Sequence, residues 1–236
     1  MRNYATLAAC SALAVSACAS ADFVGLYSAG WTGVNSDGST GAVGTTDYCV
    51  LDVYAQFDSN ESDGFAHADA TLLSTFNSNV AMSGGEAFIH NDILGGTWLP
   101  IASSDDPSSG GLPWADSFLM VGGTPGLTNT TIGDPNLNSS DAAVLTAGAG
   151  WYNNNPNNLQ GRVDTSLRTM IGRFVVDTDG AIGASLDMTL SSSYNYGIGT
   201  GTFFTGEASG SWTIVPAPGA FALMGLAGIV GRRRRA

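Results

Sequence analysis

The chain has 236 residues, 44% hydrophobic and 12% charged, which is enough for one ordinary domain and too apolar for a disordered polyelectrolyte. It contains no lysine, and five of its eight arginines lie at the ends, at Arg2 and Arg232–Arg235. The interior therefore carries three arginines against 20 acidic residues, a net charge of −17. Such a body repels phosphate backbones, so we expect no nucleic-acid partner. The lack of lysine also excludes Schiff-base and P-loop chemistry.

The first 21 residues have the pattern of a secretory signal peptide. Arg2 precedes an apolar run, 5–17, that is too short to span a bilayer. Ala19-Ser20-Ala21 then supplies the small-x-small site that signal peptidase cleaves. The pattern predicts a signal helix over 1–21, entry into the export machinery, and Asp22 as the first residue of the mature protein.

The cysteines allow a second interpretation of the same segment. Val15-Ser16-Ala17-Cys18 resembles a lipoprotein lipobox, in which Cys18 would be acylated and become the mature N-terminus. After cleavage at Ala21, by contrast, both Cys10 and Cys18 are removed and Cys49 remains alone. An internal disulfide is then impossible, and we expect Cys49 to be a small buried hydrophobe.

Residues 22–214 are predicted to form a single all-β domain, a jelly-roll-like β-sandwich. Period-two alternation recurs between Gly- and Asp-containing turns, and no helical stripe interrupts it. The clearest strand is 47–57, with alternate residues expected to face the core: Cys49, Leu51, Val53, Ala55 and Phe57. Further strands are predicted near 23–31, 71–76, 87–91, 117–121 and 207–215.

A hairpin is predicted between 168–177 and 181–190. Thr178-Asp179-Gly180 supplies the turn, because glycine readily adopts positive φ. The second strand would bury one face, made of Ile182, Ala184, Leu186, Met188 and Leu190.

The candidate metal ligands are two histidines and an acidic segment. His67 and His90 each stand two residues before an aspartate, a spacing that suits a metal pair only if the two segments are adjacent. Segment 58–64 fails the EF-hand pattern because Gly64 comes one position late. We therefore predict no cofactor and no transition metal, and calcium remains an alternative because an acidic, Asp/Asn-rich domain offers many oxygen ligands.

Catalytic patterns are not recognisable in the sequence. A glycan hydrolase needs two carboxylates in one cleft, and the glutamates Glu61, Glu86 and Glu207 stand in no familiar arrangement. A Gly-x-Ser-x-Gly nucleophile elbow is also missing. We expect a protein that is not an enzyme.

Segment 151–160 is the candidate for sugar binding. Trp151 and Tyr152 precede a run rich in asparagine, and aromatic rings with amides can stack on and hydrogen-bond to a sugar. The alternative is a turn-rich loop whose asparagines satisfy backbone groups.

The last 22 residues, 215–236, have three parts. Val215-Pro216-Ala217-Pro218 resists strand and helix formation, and 220–230 is an apolar stretch that reaches little more than half of a ~30 Å hydrocarbon core. Arg232, Arg233, Arg234 and Arg235 would hold the end on the cytoplasmic side. The sum predicts a short apolar helix that associates transiently with the membrane and presents a cleavable linker.

This tail resembles the PEP-CTERM sorting signal of bacterial proteins that exosortases process, with Ala217 in place of the usual glutamate. The resemblance implies an exosortase-like partner, docking in the inner membrane, removal of the tail, and delivery to the cell surface or its polysaccharide matrix. Stretches between 48 and 177, such as Tyr48–Ala55 and Phe88–Asp92, also resemble secreted proteins of planctomycete-type bacteria that carry the same signal. That second resemblance implies no activity.

The sequence thus predicts an exported cell-surface or extracellular-matrix protein with a non-catalytic structural or interaction role. Its partners would be the export machinery, signal peptidase, an exosortase-like enzyme and a surface polysaccharide. The alternatives are a carbohydrate-binding module that uses Trp151 and Tyr152, and a glycan hydrolase.

Overall fold

The computed structural model describes residues 23–59, 66–89, 98, 100, 116–125, 128–133, 144–145, 147–196 and 202–216. The strands in this part of the chain, in order, are β1 (Phe23–Tyr27), β2 (Thr32–Val34), β3 (Thr40–Gly41), β4 (Tyr48–Phe57), β5 (Ala70–Met82), β6 (Phe118–Leu119), β7 (Thr131–Gly133), β8 (Ala149–Asn153), β9 (Arg168–Asp177), β10 (Ser185–Tyr196) and β11 (Phe204–Thr213). The predicted signal helix and C-terminal apolar helix lie outside the described residues.

The strands form two antiparallel sheets that pack face to face. The first sheet has the order β3-β2-β4-β9-β6, and β1 pairs with the end of β4 that β2 leaves uncovered. The second sheet has the order β11-β10-β5-β8-β7. The predicted all-β sandwich is confirmed. None of the described helices is long and apolar enough to cross a membrane.

The core lies between the sheets, and β4 shows why. Its alternate residues Cys49, Leu51 and Val53 are 0% exposed, and Ala55 and Phe57 are 1% exposed, which confirms the predicted buried face. Phe57 meets Tyr194 of β10 edge-on, with ring centroids 5.2 Å apart. Each large apolar side chain buried here contributes roughly 1.5–3 kcal/mol of transfer free energy.

The predicted hairpin over 168–190 is wrong. β9 belongs to the first sheet, where it pairs with β4 and β6, whereas β10 belongs to the second, where it pairs with β5 and β11. The residues between them therefore cross from one sheet to the other. Gly180 and Gly183 both adopt positive φ, 92° and 90°, as this crossing bends. A turn signal marks where a strand ends, and it does not say which strand the next one pairs with.

The crossing also changes which residues after the turn are buried. Ile182 precedes β10 and is 42% exposed, so its predicted burial is wrong. Ala184, Leu186, Met188 and Leu190 are buried as predicted. The alternation within the strand was correct, but the strand begins at Ser185 instead of 181.

The remaining predicted strands are found with shifted bounds, apart from 87–91. Residues 87–89 are described and lie outside any strand, although the Ile89 N–H donates to the Val175 carbonyl at 2.8 Å. The pattern missed the short strands β2, β3 and β7, and it assigned β8 to a loop.

Candidate functional site

Trp151, the principal predicted sugar-binding residue, lies in the core. It is 0% exposed, and its indole Nε1–H donates to the Met120 carbonyl at 2.9 Å. Alternation along β8 turns positions 149, 151 and 153 inward and position 152 outward. Because a buried ring cannot stack on a ligand, the prediction for Trp151 is wrong. Tyr152 is 44% exposed, and its role in sugar binding stays a prediction.

The amides after β8 bind the protein itself. The Asn153 Oδ1 accepts hydrogen bonds from the Thr130 hydroxyl and the Asn155 N–H. The Asn158 Oδ1 accepts from the Gln160 N–H, and the Gln160 Oε1 accepts from the Thr130 N–H at 2.8 Å. The alternative interpretation is confirmed for residues 154–160, a turn-rich loop in which amides satisfy backbone groups, whereas 151–153 belong to the strand β8.

A groove of about 320 Å³ opens on the outer face of the first sheet. Its floor is formed by Val50, Asp52 and Tyr54 of β4 and by Arg173 of β9. Alternation puts these β4 residues on the face opposite to Cys49, Leu51 and Val53. We call this feature the Tyr54 groove.

The wall of the Tyr54 groove is formed by residues 28–30 and by β2 and β3, which contribute Thr32, Val34 and Thr40. The turn between β2 and β3 is fixed by two carboxylates. The Asp37 Oδ1 accepts from the Ser39 N–H, and the Asp47 Oδ2 accepts from the Ser36 N–H at 2.7 Å. Hydrogen bonds from Ser39 and Ser36 hold the pKa values of these two carboxyls below their usual range.

An ion pair crosses the floor of the Tyr54 groove. Asp52 and Arg173 are direct cross-strand partners in the β4–β9 register. The Arg173 Nε donates to Asp52 Oδ1 at 2.7 Å and its Nη2 donates to Oδ2 at 3.0 Å. Such a bidentate pair fixes both side chains in one plane. It places carboxylate acceptors beside guanidinium donors, and the two side chains remain 31% and 27% exposed.

Tyr54 lies beside this pair and is held by its neighbours. Burial, and after it the Asp52 charge, raises the pKa of Tyr54, so the phenol stays protonated at neutral pH. The Tyr27 ring lies 6.4 Å from the Tyr54 ring, and the Arg168 guanidinium carbon is 3.3 Å from the Tyr27 ring centroid. The Arg168 Nε also donates to Gln56 Oε1 at 2.6 Å. The Tyr54 side chain is therefore pre-positioned.

The groove thus combines an aromatic side chain, a balanced pair of charges and the hydroxyls of Thr32 and Thr40. This set can bind an amphipathic ligand by ring contact and by hydrogen bonds on both sides of an ion pair. Sequence reasoning missed it because Asp52 and Arg173 are 121 residues apart. The one available signal was that Asp52 and Tyr54 stand on the polar face of the clearest predicted strand.

The other candidates divide between the described residues and the rest. Cys49 is buried, its Sγ is 3.3 Å from the Thr178 hydroxyl, and burial raises the pKa of its thiol, as expected for a small buried hydrophobe. The described residues hold no group of three or more His, Cys, Asp or Glu side chains suited to a metal ion. Cys18, Ala19, Ala21, His90, Ala217, Pro218 and Arg232–Arg235 lie outside the described residues.

Val215 and Pro216, the first half of the predicted sorting motif, come directly after Ile214. Ile214 is fully buried, and it exchanges backbone hydrogen bonds with Gly183 and Ala184. The next residue, Val215, is 63% exposed, and Pro216 is half-buried. The predicted motif therefore begins directly after the last buried residue of the described segment 202–216.

Comparison of the chain with protein-family models, with curated proteins and with solved structures finds no match.

Proposed function

We propose that this protein is exported and sorted by an exosortase-type system to the cell surface or extracellular matrix, where it has a non-catalytic structural or interaction role. The observation that carries the proposal is the order of the C-terminal parts: motif 215–218, apolar stretch 220–230, arginine tail. Each part fits a step of transient anchoring and cleavage.

The folded body supports this role in two ways. Val215, the first residue of the motif, is exposed, which supports access of a membrane enzyme to the start of the motif. The interior net charge of −17 keeps a surface domain soluble and discourages indiscriminate adhesion to anionic polymers.

Pulse-chase labelling of the protein in its producing cells tests the sorting step. We expect Pro216→Ala/Pro218→Ala and the replacement of Arg232–Arg235 by alanine to leave the protein unprocessed in the membrane fraction. Arg162→Ala, which removes a half-exposed arginine of the body, is the matched control and should be processed normally. Normal processing of both tail variants would contradict the proposal.

The non-catalytic role has a separate test. The protein should leave oligosaccharides intact after prolonged incubation. Turnover that is abolished by Asp52→Asn or another single carboxylate substitution would instead identify a glycan hydrolase.

A further inference from the structure

We propose that the Tyr54 groove is a binding site for a neutral saccharide, one or a few sugar units of a surface polysaccharide. This inference rests on the proposed function only in placing the protein where a surface polysaccharide is present. The chemistry of the ligand is inferred from the groove alone.

The shape and the side chains of the groove suit a sugar ring. A pyranose has an apolar face of C–H groups and a rim of hydroxyls, each of which donates and accepts hydrogen bonds. Tyr54 offers an aromatic side chain at the floor, and aromatic groups commonly contact the C–H face of such ligands. A volume of about 320 Å³ lies at the lower end of the range for small-molecule sites.

The ion pair suits the rim of the same ring. Asp52 supplies acceptor oxygens and Arg173 supplies N–H donors, and their two hydrogen bonds of 2.7 and 3.0 Å hold both groups in one plane. Neighbouring hydroxyls of a sugar can donate to the carboxylate and accept from the guanidinium. Because the pair is already ordered, little side-chain entropy is lost when the sugar binds.

The charge of the groove favours a neutral ligand. The Asp52 and Arg173 charges balance each other, while the body around them carries −17. A polyanion would be repelled by the body at long range, and a polycation would bind anywhere on its surface. A neutral polyhydroxyl ligand is selected by the groove itself.

Tyr54 is also held ready for contact. The Tyr27 ring lies beside the Tyr54 ring, with centroids 6.4 Å apart, and the Arg168 guanidinium lies over the Tyr27 ring. Arg168 has no carboxylate partner among the ion pairs of the described residues. Two of the three interior arginines thus lie on this one face, where they order aromatic and carboxylate groups.

Calorimetric titration of the protein purified from its producing cells tests the proposal. The probes are neutral β-linked glucan and mannan oligosaccharides, and an oligouronate is the charged comparison. We expect at least one neutral oligosaccharide to bind and Tyr54→Ala to weaken that binding about 10-fold or more. Tyr54→Phe should retain binding within about threefold, since it keeps the ring. EDTA should have no effect.

Two further variants make the result specific. Thr40→Trp enlarges an exposed residue of the wall, so it should block the groove without disturbing the core, even if Tyr54→Ala folds poorly. Phe203→Ala removes an exposed aromatic side chain that precedes β11 of the second sheet and should bind normally.

The proposal is overturned if no neutral probe binds, if the oligouronate alone binds, or if EDTA abolishes binding. It is equally overturned if Thr40→Trp binds as well as the wild type, or if Phe203→Ala loses binding while Tyr54→Ala keeps it. These outcomes do not depend on how the termini are processed, so a failure here is distinguishable from a failure of the sorting proposal.

Discussion

At the scale of single residues, Trp151 separates a structural from a ligand-binding role. We expect Trp151→Phe to lower the free energy of unfolding by about 2–4 kcal/mol, because it leaves a cavity and an unpaired Met120 carbonyl. A phenylalanine would keep a ring for sugar stacking, so a purely ligand-binding Trp151 would tolerate the change. Denaturant unfolding measures the difference.

The neighbouring residue is the control for that experiment. Tyr152→Phe changes a side chain that is 44% exposed, and it should alter stability by no more than about 0.5 kcal/mol. Equal effects of the two substitutions would contradict the burial of Trp151.

The burial of Cys49 predicts that its thiol reacts slowly with thiol reagents. Its side chain is 0% exposed, and burial raises the pKa of the thiol, so little reactive thiolate forms in the folded protein. We expect a thiol reagent at pH 8 to label the folded protein at least about 100-fold more slowly than the denatured protein. Similar rates for the two would show that Cys49 is accessible.

The same shift gives a pH dependence of stability. A folded-state pKa above the unfolded one means that the folded protein holds this proton more tightly. The contribution is complete below the unfolded pKa and is lost as pH rises through the folded pKa. The stability advantage of the wild type over Cys49→Ala should therefore shrink above about pH 9. Urea unfolding of both proteins between pH 7 and 10 measures it, and a constant difference would argue against the buried thiol.

At the scale of elements, the path of the chain between β9 and β10 has a direct chemical test. Thr189 and Ser209 are exposed cross-strand partners in β10 and β11, so the pair Thr189→Cys/Ser209→Cys should form a disulfide on mild oxidation. In a hairpin across 178–180, residue 173 would face residue 185. The pair Arg173→Cys/Ser185→Cys should stay reduced, because those positions lie in different sheets. A disulfide between residues 173 and 185, without one between residues 189 and 209, would instead support the hairpin.

What the sequence could predict at this scale was periodicity, and what it could not was pairing. The buried face of β4 followed from alternation alone, because a strand with one apolar face has few alternatives. β8 was mistaken for a loop because its five residues contain Gly150 and end in an asparagine-rich run, both of which are typical of turns. The Tyr54 groove depends on the β4–β9 register and on the placement of β2, and both are long-range contacts that local patterns do not encode.

At the scale of the whole molecule, the distribution of charge links the fold to the proposed role. Of the three interior arginines, Arg162 pairs with Asp69 and Arg173 with Asp52, while Arg168 lies over Tyr27. The positive charge of the body is thus largely committed to ordering its own surface. The remaining carboxylates give a hydrated, acidic exterior that suits a domain in a surface matrix.

The central claim concerns the mature protein. We predict that it consists of the β-sandwich without the N-terminal signal peptide and without the C-terminal arginine tail. Intact-mass and terminal-peptide mass spectrometry of the protein recovered from the cell surface tests that claim most directly. We predict a chain that begins at Asp22 and lacks Arg232–Arg235. Surface protein that retains the arginine tail would contradict the sorting claim, and an acylated Cys18 at the N-terminus would contradict cleavage after Ala21.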